Sequence, residues 1–218
     1  MTGRPATGRE PGQVRSVCKA MDLLACLAQA RGPLTLGELS RRTGIPKATV
    51  HGLLSAMRSS AVVEQSGEDG RYRLGVRLFE YGCVVSRGWN VLEAAAGPMR
   101  RVAEETGETV SIAALDREEV LVLDCADAHS DLRVVSEKGS RLPLHCTSQG
   151  KLLLAYLPEA RRKSLLRRCD FAAYTPHSHP DAASLEAELP EIQALGYAIE
   201  NGEYRIGLRS VSAPVFDV

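Results

Sequence analysis

Three stretches of this 218-residue chain carry side chains whose types and spacing could do chemistry. The first holds Lys47, Ala48, Thr49, His51, Gly52, Ser55 and Arg58. These are small, hydroxyl and basic residues at the spacing of one helical face, which is what a helix entering a DNA major groove presents. Arg71 and Arg73 follow on a strand-like run and could reach phosphate. The second stretch is Thr147-Ser148-Gln149, at the head of an apolar helical run. Thr147 or Ser148 caps that helix, and the unpaired N–H groups of its first turn suit a carboxylate or phosphate. The third is His145-Cys146, a pairing that elsewhere yields a nucleophilic thiolate. Neighbours on a strand point to opposite faces, however, and no third group orients the pair, so no catalytic residue is assigned. Each stretch also has a plainer reading: a solvated helical hairpin, arginines on a wet edge, hydroxyls that only cap.

The elements that position these groups follow from periodicity. Thr35 and Glu38 form a Ser/Thr-x-x-Glu box that starts a helix, and Thr43-Gly44 stops it. Pro46 fits the first turn of the next helix, and Val50, Leu53, Leu54 and Met57 give it one buried stripe. Upstream, 13–30 reads as an amphipathic helix with Val14, Val17, Met21, Leu24 and Leu27 inward. Residues 62–64 and 71–74 read as the two strands of a hairpin, a wing after a recognition helix. A helix over 74–88 has apolar residues on more than one side, which predicts packing against another chain or both domains. Another helix covers 91–106, with Leu92, Ala95, Met99 and Val102 on one face.

Beyond it, strands are predicted at 109–115, 120–125, 132–136, 197–200 and 211–216, with helices at 147–157, 159–168 and 184–195. Mixed elements without strict β-α-β alternation indicate an α+β fold with a largely antiparallel sheet. The domains expected are a tail at 1–12, a winged helix-turn-helix at 13–75, a linker helix at 76–90 and a second domain at 91–218.

Composition is that of an ordinary soluble protein, and no apolar run is long enough to span a bilayer. Residues 1–12 lack the apolar core of a signal peptide and read as a disordered tail, so a cytoplasmic address is the default expectation. Net charge is zero but unevenly spread: residues 1–90 carry +6 and residues 91–218 carry −6. A basic first part and an acidic second part point to a polyanion-binding domain joined to something else. The six cysteines show no C-x-x-C spacing and read as buried reduced thiols. His177-x-His179 has no further ligands at metal spacing, so neither metal nor cofactor is expected.

The residues LTLGELSRRTGIPKATVHGLL and GRYRLGVRL, followed by GSRLPLHCTSQGKLLLAYLP and GYAIENGEYRIGLRSVSAPVFD, resemble the IclR family of bacterial transcription regulators. The resemblance runs from about Val14 onward. It implies a winged helix-turn-helix, a linker helix and a GAF-like effector domain. It also implies dimers or tetramers on palindromic operator DNA, under control of a small organic or aromatic acid. Thr35, Lys47, Ala48, Thr49, His51, Gly52, Ser55, Arg58, Arg71 and Arg73 would contact DNA. By the same resemblance Ser148 and Gln149 sit where the family places its ligand, beside Thr147, with Glu200 and Ser210 at other pocket positions.

Two departures stand out. Similar proteins usually carry Arg where this chain has Gly52, which shifts base readout to Lys47, Thr49, Ser55 and Arg58 or implies a different operator. They also continue beyond Val218 through a strand that supplies small polar residues to the pocket, so either the chain is shortened or that pocket is incomplete. The alternative to a regulator is a cytosolic metabolite-binding protein or enzyme whose winged helix serves protein contacts.

Overall fold

The computed structural model describes residues 14–88, 90–127 and 137–216. The chain divides into two compact units, Met1–Gly88 and Trp89–Val218. The expected strand at 132–136 and the tail at 1–12 lie outside the described residues.

In the first unit, α1 (Arg15–Ala28), α2 (Leu36–Thr43) and α3 (Lys47–Ser59) precede a hairpin of β1 (Val63–Gln65) and β2 (Tyr72–Leu74), and α4 (Arg77–Arg87) follows. The capping box is formed: Glu38 N donates to Thr35 Oγ1 at 3.2 Å, and Thr35 N donates to Glu38 Oε2 at 2.8 Å. Gly44 ends α2 in the left-handed conformation, φ 69°. Pro46 sits one residue earlier than expected, as the N-cap of α3, where its carbonyl accepts from Val50 N at 3.0 Å. Leu34 bridges Tyr72, tying the α1–α2 loop to the hairpin.

The core gathers Leu23, Leu27, Leu39, Val50, Leu54, Met57, Val63 and Tyr72. Each large aliphatic side chain in it contributes roughly 1.5–3 kcal/mol over exposure. One stripe differs from expectation in part: Leu27 is buried and Leu24 packs against the core as expected, but Leu23 joins them while Val14, Val17 and Met21 are exposed. A shift of a few residues rotates a helical stripe away from its core, and α1 carries apolar residues on both sides. Phe79, Tyr81, Val84 and Val85 of α4 are likewise exposed within this chain.

The second unit opens with α5 (Asn90–Thr106), whose inward residues include Met99 and Ala103, while Val102 is exposed. Then come β3 (Val110–Asp116), β4 (Glu119–Ala126), β5 (Arg141–Leu142), α6 (Ser148–Tyr156), α7 (Glu159–Leu166), α8 (Ala182–Leu195), β6 (Ala198–Asn201) and β7 (Arg209–Ser212). Among the described residues the strand pairs of this unit are antiparallel: β3-β4-β5 in one sheet, β6-β7 in another. The short β5 was not expected from sequence. The last strand starts two residues before the predicted one and stops at Ser212; Pro214, lacking an N–H, cannot extend a ladder.

The core of this unit packs Leu152, Leu154 and Ala155 of α6 with Val120, Val122, Leu144, Leu185 and Leu189. Gly150 makes the approach of α6 to residue 144 feasible. A Cβ there would lie 2.3 Å from Leu144 O and 2.5 Å from Leu144 Cα, both backbone atoms. Gly150→Ala is therefore expected to destabilise the second unit by about 1–3 kcal/mol, read as a lower urea midpoint. An unchanged midpoint would show that this close approach does not hold α6.

Candidate functional sites

Helix α3 is divided cleanly between its two faces. Val50, Leu54 and Met57 lie in the core, whereas Lys47, Ala48, His51, Gly52, Ser55 and Arg58 are exposed and Thr49 is half-buried. Leu53, expected in the buried stripe, is only partly covered. A Cβ on Gly52 would meet nothing within 4 Å, so the fold itself imposes no glycine there. The ion pairs of this unit join Arg71 to Glu38 and Asp69, Arg73 to Glu64, and Arg77 to Glu80. Among the described residues, then, Lys47 and Arg58 keep uncompensated cationic ends on an exposed face.

Three further sequence candidates already have partners. Thr35 Oγ1 donates to Glu38 Oε2 at 2.8 Å, as part of the cap. Arg71 Nη1 lies 3.3 Å from Glu38 Oε2, and Arg73 Nη2 lies 2.9 Å from Glu64 Oε2. The bonds from Thr35, with a smaller contribution from Arg71, hold the Glu38 carboxyl below its ordinary range. Arg73 does the same, chiefly by hydrogen bonding, for Glu64. Exposed pairs of this kind are weak and screened by salt, so a phosphate can compete for either guanidinium.

In the second unit the start of α6 meets the β6–β7 hairpin. Thr147 is the cap: its hydroxyl accepts from Gly150 N at 3.1 Å and donates to Pro143 O at 2.7 Å. The Ser148 hydroxyl lies 2.8 Å from Ser210 Oγ and 2.7 Å from Ser212 Oγ. Ser210 in turn donates to Glu200 Oε2 at 2.9 Å, and Glu200 Oε1 accepts from Tyr204 N at 3.2 Å. Gln149 turns elsewhere and donates to Ser111 Oγ at 3.2 Å. Of the five sequence candidates, Ser148, Glu200 and Ser210 thus meet directly, while Thr147 and Gln149 flank them. A hollow of about 330 Å³, lined by residues including His177, Asn201, Ile206 and Arg209, contains none of these hydroxyls.

Sequence reasoning missed Ser111 and Ser212. Ser212 was legible in principle, since it lies two residues from Ser210 and so on the same strand face. It also missed Lys151, which is 1% exposed, with Nζ 2.8 Å from Glu188 Oε1 and 2.7 Å from Glu203 Oε1. A lone lysine inside the apolar run LysLeuLeuLeuAla was the available signal.

His145 and Cys146 do not form a nucleophilic pair. The His145 Nε2 lies 3.0 Å from Ala172 O, and its Nδ1 lies 4.0 Å from Cys169 Sγ. Burial, with Glu203 adding to it, pushes the Cys146 thiol up to about 12, which leaves no thiolate at neutral pH. His179 Nε2 is 2.7 Å from Glu188 Oε2, and no group of three or more His, Cys, Asp or Glu among the described residues is arranged for a metal ion. Within the same residues no helix is long and apolar enough to cross a membrane.

Comparison with known proteins accords with this geometry. Residues 16–67 match the IclR helix-turn-helix domain, and residues 83–218 match the model described as bacterial transcriptional regulator IclR C-terminal. The transcriptional repressor IclR of Escherichia coli is 33% identical over 218 residues, covering 98% of this chain and 80% of that protein. The regulator KdgR of Dickeya chrysanthemi is 34% identical, covering 96% of this chain and 68% of its own length. Among solved structures, an IclR homologue from Microbacterium hydrocarbonoxydans complexed with 4-hydroxybenzoate superposes with TM-score 0.83 at 25% identity, covering 93% of this chain and 83% of that one. An IclR-type regulator from Alicyclobacillus acidocaldarius gives 0.80 at 29%, covering 94% and 83%.

The buried thiols make a pH prediction. Folded Cys146 titrates near 12 and Cys169 near 11, against an ordinary 9.0. Both favour the folded state below pH 9, and that contribution is lost as pH rises through 9 toward 12. Denaturant unfolding from pH 8 to 11 is expected to show falling stability, with a shallower fall in Cys146→Ala. Equal slopes in the two proteins would contradict the burial described.

Proposed function

The chain belongs to the IclR family of bacterial transcription regulators, and on that footing we propose how its residues divide the work. It is a DNA-binding transcription regulator under small-molecule control. Lys47, Ala48, Thr49, His51, Gly52, Ser55 and Arg58 meet base edges and flanking phosphates in a major groove of double-stranded operator DNA. Thr35 and the wing residues Arg71 and Arg73 lie along the backbone, the arginines exchanging a carboxylate for a phosphate. The observation that carries this reading is the α3 face itself: free basic ends and small side chains outside, Val50, Leu54 and Met57 inside.

A small organic or aromatic acid is the effector, held by Ser148, Gln149, Glu200 and Ser210 around the α6 start that Thr147 caps. The solved relative that carries 4-hydroxybenzoate supports an aromatic acid as one candidate. The effector acts by binding one arrangement of the DNA-binding units better than another, since equal affinity would shift nothing. The working form is a homodimer or homotetramer in the cytoplasm, on a palindromic operator. Exposed Val17 and Met21 on α1 and Phe79 and Val85 on α4 support self-association, because a lone chain would leave these apolar faces in water. The inert Cys146 thiol removes the one feature that favoured an enzyme.

Fluorescence anisotropy with the DNA upstream of its own gene tests the reading. Binding is expected to weaken steeply with salt. Lys47→Ala and Arg58→Ala should each cost about 1–3 kcal/mol of affinity with unfolding midpoints unchanged. Salt-independent binding, or undiminished affinity in both variants, would overturn it.

A further inference from the structure

The hydroxyl chain at the effector site has a direction, and that direction selects a ligand chemistry. Glu200 is 1% exposed and is the accepting end of the chain. Ser210 must therefore spend its only hydroxyl proton on Glu200 Oε2, 2.9 Å away. That leaves Ser210 Oγ as acceptor in its 2.8 Å bond with Ser148, so Ser148 donates. Ser148, its proton used, is the acceptor in its 2.7 Å bond with Ser212, so Ser212 donates. All three protons run one way, Ser212 to Ser148 to Ser210 to Glu200. The open end is Ser212 Oγ, half-buried on β7, with lone pairs and no further partner among the described residues.

An acceptor-only end receives a donor. We infer that the effector carries a hydroxyl group that donates to Ser212, making it a hydroxy acid rather than a keto acid or an ether of the same shape. This rests on the effector site proposed above. A carboxylate or keto oxygen placed at Ser212 would face lone pairs instead of protons. The acid group of the ligand is better received by the N–H groups at the start of α6. The hydroxyl and the acid group are therefore read by different parts of the site.

The strongest check comes from reversing the chain. Glu200 Oε1 accepts from Tyr204 N at 3.2 Å, and only an oxygen can do that. In Glu200→Gln the amide oxygen is thereby fixed on Tyr204 N, and the amide nitrogen donates to Ser210. Every hydroxyl proton then turns round, and Ser212 presents a proton.

Calorimetric titration of the whole chain uses matched pairs: L-lactate against pyruvate, mandelate against phenylglyoxylate, and 4-hydroxybenzoate against 4-methoxybenzoate. In the pairs that bind, the hydroxyl member should be favoured by about tenfold or more, since an unmet polar group in a site costs that much. Glu200→Gln should abolish or invert the preference. Ser212→Ala, which removes the open end together with its bond to Ser148, should reduce it to about threefold or less. Equal or tighter binding of the keto or methoxy member by the unaltered protein overturns the inference and leaves the effector site standing. Binding of none of the six acids, with operator binding intact, overturns both.

Discussion

One buried ammonium organises the second unit. Lys151 is enclosed, and its Nζ sits within 2.8 Å of carboxylates from α8 and from the loop after β6. Taking one charge out of water costs several kcal/mol, and the cost is met only when partners are fixed in place. Glu188 and Glu203 are so fixed: His179 bonds the first at 2.7 Å, while Thr175 and Ser178 hold the backbone of the second. Because Lys151 is one turn beyond Ser148 on α6, the same constraint that anchors the helix also sets where its first turn meets Ser210 and Ser212. The polar site thus inherits its geometry from an ion cluster that no ligand needs to touch.

Among the described residues the first unit holds no comparable buried charge. Its core is apolar throughout, and its polar residues do local work at the ends of helices. The consequence is a division of surfaces. Carboxylates cluster around the wing, at Glu38, Glu64 and Asp69, and each is paired with an arginine. On α3 no carboxylate is available to neutralise Lys47 or Arg58. Part of the basic character counted over residues 1–90 is therefore cancelled locally at the wing, while Lys47 and Arg58 on α3 are not neutralised there.

Much of this was legible in the residues. The capping box, the glycine stop and the α3 stripe are local signals, in which each residue type acts on its immediate neighbours. Boundaries of α2, α3, α6 and α8 accordingly fell within a few residues. What was not legible depended on distant partners. Val17 and Met21 have the spacing of a core stripe, yet they are exposed and Leu23 is buried beside the expected Leu27, because amphipathic periodicity does not say which apolar positions a neighbour will cover. The strand β5 is too short to show a period. Ser212 and Ser148 are 64 positions apart, and only the fold of the hairpin onto α6 makes them neighbours. Ser148, Glu200 and Ser210 were named through family likeness; their mutual hydrogen bonds came from the structure.

Gly52 has a consequence for how such a protein diversifies. Its missing side chain opens onto empty space, and nothing in the core depends on its absence. Alanine there would strengthen the helix by about 1 kcal/mol, so most replacements carry no folding penalty. On the DNA-facing role proposed for α3, a duplicated gene could change this one codon and explore new operator sequences with its fold untouched. The position is an evolutionary degree of freedom, decoupled from the constraints that Lys151 imposes elsewhere.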